Sequence, residues 1–116
     1  MFGGMEFMGV WGLDIYDDDL AVDIRDEFQE YLDEGMDESE AINELLLNND
    51  NLLEEEEESG TVILTIGFLA KENEVDNSRV KKLLKELKRN KDYWNYLKED
   101  SMELYEVRMD LLRELI

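Results

Sequence analysis

The sequence predicts a mainly α-helical protein, a compact bundle of about five helices preceded by an irregular N-terminal segment. Apolar residues recur at helical spacing in several long segments. The chain contains no proline, so helix boundaries must be set by capping side chains and glycines. With 116 residues, 43% of them hydrophobic, it is long enough to bury one core without cysteine cross-links. We therefore treat residues 1–116 as a single acidic domain.

The first predicted helix follows the aspartates Asp17 to Asp19 and ends near Asp33. Aspartate at a helix N terminus caps free backbone N–H groups, and its charge suits the positive end of the helix dipole. Gly35 is expected to stop the helix. Apolar residues recur every three or four positions in this segment, at Leu20, Ile24, Phe28 and Tyr31.

The second predicted helix begins at a capping box formed by Asp37 and Glu40 and ends near Asn48. Residues 48–60 are predicted to form an acidic loop. Its asparagine-rich beginning favours turns, and the block Glu54 to Glu58 places five like charges in succession.

The segment Thr61 to Ala70 is continuously apolar apart from two threonines and a glycine. Its β-branched residues favour a strand, whereas its length also fits a buried helix. A single strand in an otherwise helical chain would leave its backbone groups without partners. We therefore predict a central buried helix that ends near Glu72.

Two further helices are predicted after Asn77 or Ser78. The fourth turns a basic face outward, formed by Lys81, Lys82, Lys85, Lys88 and Arg89. Residues 90–92 interrupt it, and an aromatic knot follows around Tyr93, Trp94 and Tyr96. Ser101 starts the last helix, whose broad apolar stripe suits either the centre of a bundle or a contact with another chain.

Charge is distributed unevenly along the chain. Residues 1–60 carry 21 acidic side chains and one basic one, whereas residues 61–116 carry 11 of each. The acidic half repels nucleic acid and anionic membranes and favours fast, salt-sensitive encounter with basic surfaces. We expect no direct nucleic-acid binding and no membrane partner; high solubility is the alternative explanation for the charge.

The beginning of the chain fits neither a secretory signal nor a membrane span. Met1 to Leu13 is short, carries an acidic residue and lacks a small-residue cleavage pattern. We expect a cytoplasmic protein. Two starts are considered for the natural chain: Met1, and Met8, which would make residues 1–7 a non-native extension.

The segment Met8 to Asp23 carries the one distinctive motif. Its residues read M-G-V-W-G-L-D-I-Y-D-D-D-L-A-V-D. This pattern resembles the opening of bacterial domain-of-unknown-function family 4259, which reads M-G-x-W-G-x-G-x-F-D-N-D-x-A-x-D. Asp14 and Asp18 depart from the glycine and asparagine that are common in that family. The resemblance implies a small, mainly helical domain and no particular activity. The matching positions are Gly9, Trp11, Gly12, Tyr16, Asp17, Asp19, Ala21 and Asp23.

The absence of histidine and cysteine argues against an enzyme, because the commonest general base and the thiol nucleophile are both missing. Aspartates 14, 17, 18, 19 and 23 suggest a metal site, but an EF-hand loop beginning at Asp14 would need a glycine at Asp19 and a glutamate at Arg25. We expect helix capping instead, and no catalytic residue, cofactor or metal.

The acidic segments are the best candidates for a functional surface. We expect them to bind a basic surface of another protein, as an inhibitor or an immunity or anti-defence type antagonist, acting as a nucleic-acid mimic in the most specific form of the hypothesis. The predicted acidic face consists of Asp19, Asp23, Glu27, Glu30, Glu34, Glu54, Glu55, Glu56, Glu57 and Glu58. The candidate aromatic anchors are Trp11, Tyr16, Tyr93 and Trp94, with packing onto the core as the alternative role for Trp11 and Tyr16.

Two other classes of function remain open. The chain could be a self-assembling structural module, a homodimer through its last helix in which the basic fourth helix meets the acidic first helix of a neighbour. The third and weakest hypothesis is a metal-dependent hydrolase that uses the aspartate cluster.

Overall fold

The computed structural model describes residues 19–55 and 58–116, and in these ranges all regular structure is helical. The described helices number seven rather than about five, which corrects the predicted count but confirms the mainly α-helical class. They are α1 (Asp19–Asp33), α2 (Glu38–Asn48), α3 (Asp50–Leu53), α4 (Ser59–Glu72), α5 (Ser78–Lys88), α6 (Lys91–Asp100) and α7 (Met102–Leu115). In the described part of the chain, no helix is both long enough and apolar enough to cross a membrane.

Helix α4 forms the centre of the molecule. Every residue from Ser59 to Ala70 is buried, and α1, α2, α3, α5 and α7 all pack against this helix. The prediction of a buried helix at Thr61 to Ala70 is thus confirmed. The threonines fit the helix because the Thr65 hydroxyl donates to the Thr61 carbonyl oxygen at 2.7 Å, so the buried hydroxyl keeps a partner.

The helix boundaries follow the predicted capping residues. Asp37 accepts from the Glu40 amide at 2.8 Å, and Glu40 accepts from the Asp37 amide at 3.4 Å, which completes the capping box of α2. Gly35, with φ +105°, ends α1 in a conformation that side-chain-bearing residues rarely adopt. Asn77, rather than Ser78, caps α5 through the Val80 amide.

The predicted acidic loop at residues 48–60 is shorter than expected. Asn48 belongs to α2, α3 occupies residues 50–53, and α4 already begins at Ser59. The extra helical turn forms because Leu52 and Leu53 pack against the core. The buried Asn49 side chain donates to the Leu45 carbonyl oxygen at 2.9 Å and ends α2.

The predicted aromatic knot is helical and lies in α6. Tyr93 and Trp94 are 1% and 5% exposed, and their rings meet edge to face with centroids 5.0 Å apart. The Trp94 indole donates to the Leu87 carbonyl oxygen at 2.7 Å. These two aromatics therefore hold α6 to the core and cannot act as surface anchors, which corrects that part of the prediction.

The last helix buries only part of its predicted apolar stripe. Leu111 and Leu112 are buried, Tyr105, Met109 and Leu115 are partly buried, and Ile116 is 52% exposed. The stripe is mostly covered within the molecule, with α7 packed against α4, α5 and α6.

Gly60 should be essential for the close packing of α6 on α4. A Cβ atom at this position would lie 2.1 Å from the Tyr93 ring, so Gly60→Ala must displace a buried aromatic. We expect a loss of about 1–3 kcal/mol in the free energy of unfolding, measured by urea titration. Gly67→Ala is the matched control, because its Cβ would meet flexible leucine methyls at 3.2 Å. Equal effects of both substitutions would contradict the assignment.

Candidate functional site

The outward face of α1 carries the predicted acidic stripe. Burial of Ala21, Ile24 and Phe28 against the core fixes the rotation of the helix and turns the carboxylates away from it. Four of the five, Asp19, Asp23, Glu30 and Glu34, are exposed and the fifth, Glu27, is partly buried.

A groove of about 580 Å³ runs beside this stripe, between α1 and the α2–α3 junction. Buried Ile24 and half-buried Leu20 and Leu52 supply its apolar part, and exposed carboxylates supply its polar part. An apolar surface bordered by carboxylates suits the aliphatic stem and the charged end of lysine or arginine. The residues that line the groove are Leu20, Asp23, Ile24, Asp26, Glu27, Glu30, Asn49 and Leu52.

One carboxylate of the groove is held in place by its neighbours. Glu27 accepts from the Tyr31 hydroxyl at 3.0 Å and from the Asn49 side chain at 3.1 Å. Asn48 in turn donates to the Tyr31 hydroxyl, which joins α1 to α2. Partial burial raises the pKa of the Tyr31 phenol above its ordinary 10.0, the hydrogen bond to Glu27 raises it further, and the one from Asn48 lowers it.

The structure brings together only part of the predicted acidic face. Asp23, Glu27 and Glu30 line the groove, while Asp19 and Glu34, at the two ends of α1, do not. Asp26 lines it as well and was missed, although its spacing of three from Asp23 and four from Glu30 would have revealed it.

The remaining acidic candidates lie elsewhere or outside the described part of the chain. Glu54, Glu55 and Glu58 are exposed between α3 and α4, without lining the groove. Four predicted site residues, Glu56, Glu57, Trp11 and Tyr16, lie outside the described residues.

A second cleft, of about 390 Å³, contains the buried Arg108. The guanidinium donates to the Thr61 hydroxyl at 2.9 Å and to the Tyr93 hydroxyl at 2.8 Å, thereby joining α7 to α4 and α6. Glu58 and Asp100 also line this cleft. The sequence pattern does not predict Arg108 as a core residue, because arginine on a helix is usually exposed.

The described carboxylates are spread along the surface rather than gathered. Within residues 19–55 and 58–116, no three of them are placed to hold a metal ion. Asp14, Asp17 and Asp18 of the predicted cluster lie outside this part of the chain.

Comparison with family models, curated proteins and solved structures produced no match. The resemblance of Met8 to Asp23 to domain-of-unknown-function family 4259 therefore stays a prediction.

The Tyr31 phenol should titrate above its ordinary pKa in the folded protein, and the free energy of unfolding should therefore depend on pH in this range. Because the unfolded chain ionises its phenol first, the contribution of Tyr31 is fully present below pH 10.0 and is lost as pH rises through the raised folded-state value. Tyr31→Phe should flatten this decline in urea unfolding measured across that range. Glu27→Gln should bring the Tyr31 pKa, followed by NMR, closer to its ordinary value. An unchanged Tyr31 titration in Glu27→Gln would contradict the pairing.

Arg108 should contribute to stability through its two buried hydrogen bonds. Arg108→Leu leaves the Thr61 and Tyr93 hydroxyls without their donor, and we expect a loss of about 1–3 kcal/mol in the free energy of unfolding. Arg113→Leu, which breaks an exposed ion pair with Asp110 on the same helix, should cost less than about 0.5 kcal/mol. Urea titration of both variants makes the comparison, and similar losses would refute the structural role.

Proposed function

We propose that this protein is a protein-binding module whose acidic face docks on a basic surface of another protein, as an inhibitor or immunity-type antagonist. The supporting observation is the groove beside α1, where apolar side chains and carboxylates border the same space. A purely solubilising acidic surface would need no such combination.

Charge and shape have separate roles in this proposal. The net charge of −20 would raise the encounter rate with a basic partner and make it sensitive to salt. Long-range attraction alone gives little specificity. Specificity would come from Leu20 and Leu52, which can be desolvated by a partner's side chain, and from carboxylates that fix its charged end.

A nucleic-acid mimic is the more specific form of this proposal. The carboxylates of α1 succeed one another at roughly one helical turn, about 5.4 Å along the axis. Such a row imitates closely spaced phosphates and would occupy a groove that normally binds nucleic acid.

Acid–base catalysis has less support. Partial desolvation raises the pKa of Glu72, an exposed residue at the end of α4 that lines neither cleft. The groove carboxylates are exposed or, for Glu27, already engaged by hydrogen bonds. This arrangement favours binding over proton transfer.

Neutralising the groove should weaken binding more than neutralising another acidic surface. The test uses a fluorescent helical peptide with arginines along one face, titrated by anisotropy at low and moderate salt. We expect Asp23→Asn/Glu30→Gln to weaken binding about tenfold, since two ion pairs of up to about 1 kcal/mol each are lost. The double substitution Glu99→Gln/Glu106→Gln, at exposed sites on α6 and α7, changes the net charge equally and should weaken binding about twofold or less.

Equal weakening by the two double variants would show that only net charge matters and would overturn the groove as the docking site. If the proposal holds, the same pair of variants used as bait identifies the natural partner as a basic protein captured by the control but not by the groove variant.

A further inference from the structure

Helix α5 presents a basic face, and most of its cations form no ion pair with another described residue. Val80, Leu84 and Leu87 are buried against the core, so the opposite side of the helix is exposed. Four cations lie on it, Lys81, Lys82, Lys85 and Lys88, and a fifth, Arg89, directly follows the helix. Lys81 pairs with Asp76 at 2.5 Å, whereas no described residue forms an ion pair with the other four.

The fold keeps this basic face away from the acidic face of the same molecule. Helices α1 and α5 both pack on α4 and make little or no contact with each other. Across the described ranges, no ion pair joins the two helices. Arg79 of α5 instead forms an ion pair with Asp50 of α3, at 3.6 Å. One molecule therefore carries two complementary surfaces that it cannot bring together.

We propose that the basic face of α5 docks on the acidic face of α1 in a second copy of this chain. The carboxylates at positions 19, 23, 27 and 30 of α1, and Glu34 just after its end, advance by three or four residues, and so do the cations of α5 at 81, 85 and 88. Two helices laid side by side then match their charges turn by turn. This proposal does not depend on the proposed function, because the α1 face is occupied here by α5 of a second copy rather than by another protein.

The net charge of −20 opposes association, and the balance depends on ionic strength. At low salt, where the Debye length is about 30 Å at 0.01 M, the whole charge of each copy repels the other. At about 0.15 M the length falls to about 8 Å, so only charges near the contact still act, and these attract. At about 1 M the attraction is screened as well. Association should therefore be strongest at intermediate salt.

The contact is heterologous, since each copy uses one face to bind and leaves the other free. Successive copies form open chains or closed rings rather than a symmetric dimer. A basic partner protein on α1 would compete with the neighbouring copy for the same face.

The experiment is sedimentation velocity over a range of protein concentrations at about 0.01, 0.15 and 1 M salt. The wild type should show association that rises with concentration and is greatest at the middle salt. Lys82→Glu/Lys85→Glu should abolish it, and so should Asp23→Lys/Glu30→Lys on α1. Mixing these two variants should restore it, because the reversed α1 of one matches the reversed α5 of the other. Lys91→Glu/Arg113→Glu changes the net charge by the same amount as the α5 variant, lies off α5 and should associate like the wild type.

A wild type that stays monomeric at all three salts overturns the proposal. An α5 variant that associates normally overturns it too, and points to a symmetric contact such as α7 with α7. Failure of the mixture to associate overturns α1 as the matching surface. The α5 variant should retain full binding of the arginine peptide, so loss of self-association and failure of the groove proposal are separate results.

Discussion

The burial of α4 on all sides from Ser59 to Ala70 is the constraint on which the rest of the molecule depends. A helical segment with no solvent-facing side must be covered all round. Among the described helices, α1, α2, α3, α5 and α7 pack against it, and α6 places the Tyr93 ring over Gly60. Each of those helices has to supply an apolar stripe on one side only. The polar atoms of α4 also need partners inside the core, and the Thr61 hydroxyl finds one in Arg108. Close approach is possible where a glycine removes the side chain, as at Gly60 beneath the Tyr93 ring.

This arrangement explains why strong charge segregation is tolerated. Like charges one helical turn apart destabilise an isolated helix by about 0.2–0.5 kcal/mol per pair. Burial of a side chain such as Ile24 or Phe28 contributes about 1.5–3 kcal/mol, several times more. Packing on α4 therefore determines that α1 is helical, whatever its outer face carries. The outer faces of α1 and α5 are free to differ in charge, and a charge pattern that folding does not require is available for recognition.

The sequence predicts this fold where local signals and burial agree. The capping box at Asp37, the stop at Gly35 and the central helix at Thr61 to Ala70 all follow from patterns that the tertiary structure reinforces. The helical turn α3 was missed because its four residues are asparagine, aspartate and two leucines, and only packing of the leucines makes them helical. Tyr93 and Trp94 were predicted as surface anchors, and Arg108 was not predicted as a core residue, for a related reason: whether an amphipathic side chain is inside or outside depends on partners distant in sequence.

The groove illustrates why position matters more than the number of charges. Exposed carboxylates on flexible side chains lose conformational freedom when a partner binds, which reduces the net gain from each ion pair. Glu27 differs, because Tyr31 and Asn49 already restrict it before any partner arrives. The Glu27 side chain therefore loses little further conformational entropy when a partner binds. A basic side chain that covers Leu52 and reaches Glu27 would gain both from desolvation of the leucine and from a preorganised acceptor. The acidic block after α3 has more charge per residue, but its described carboxylates belong to exposed residues that do not line this groove. Under the proposed function, the surface better suited to specific recognition is therefore the less densely charged of the two.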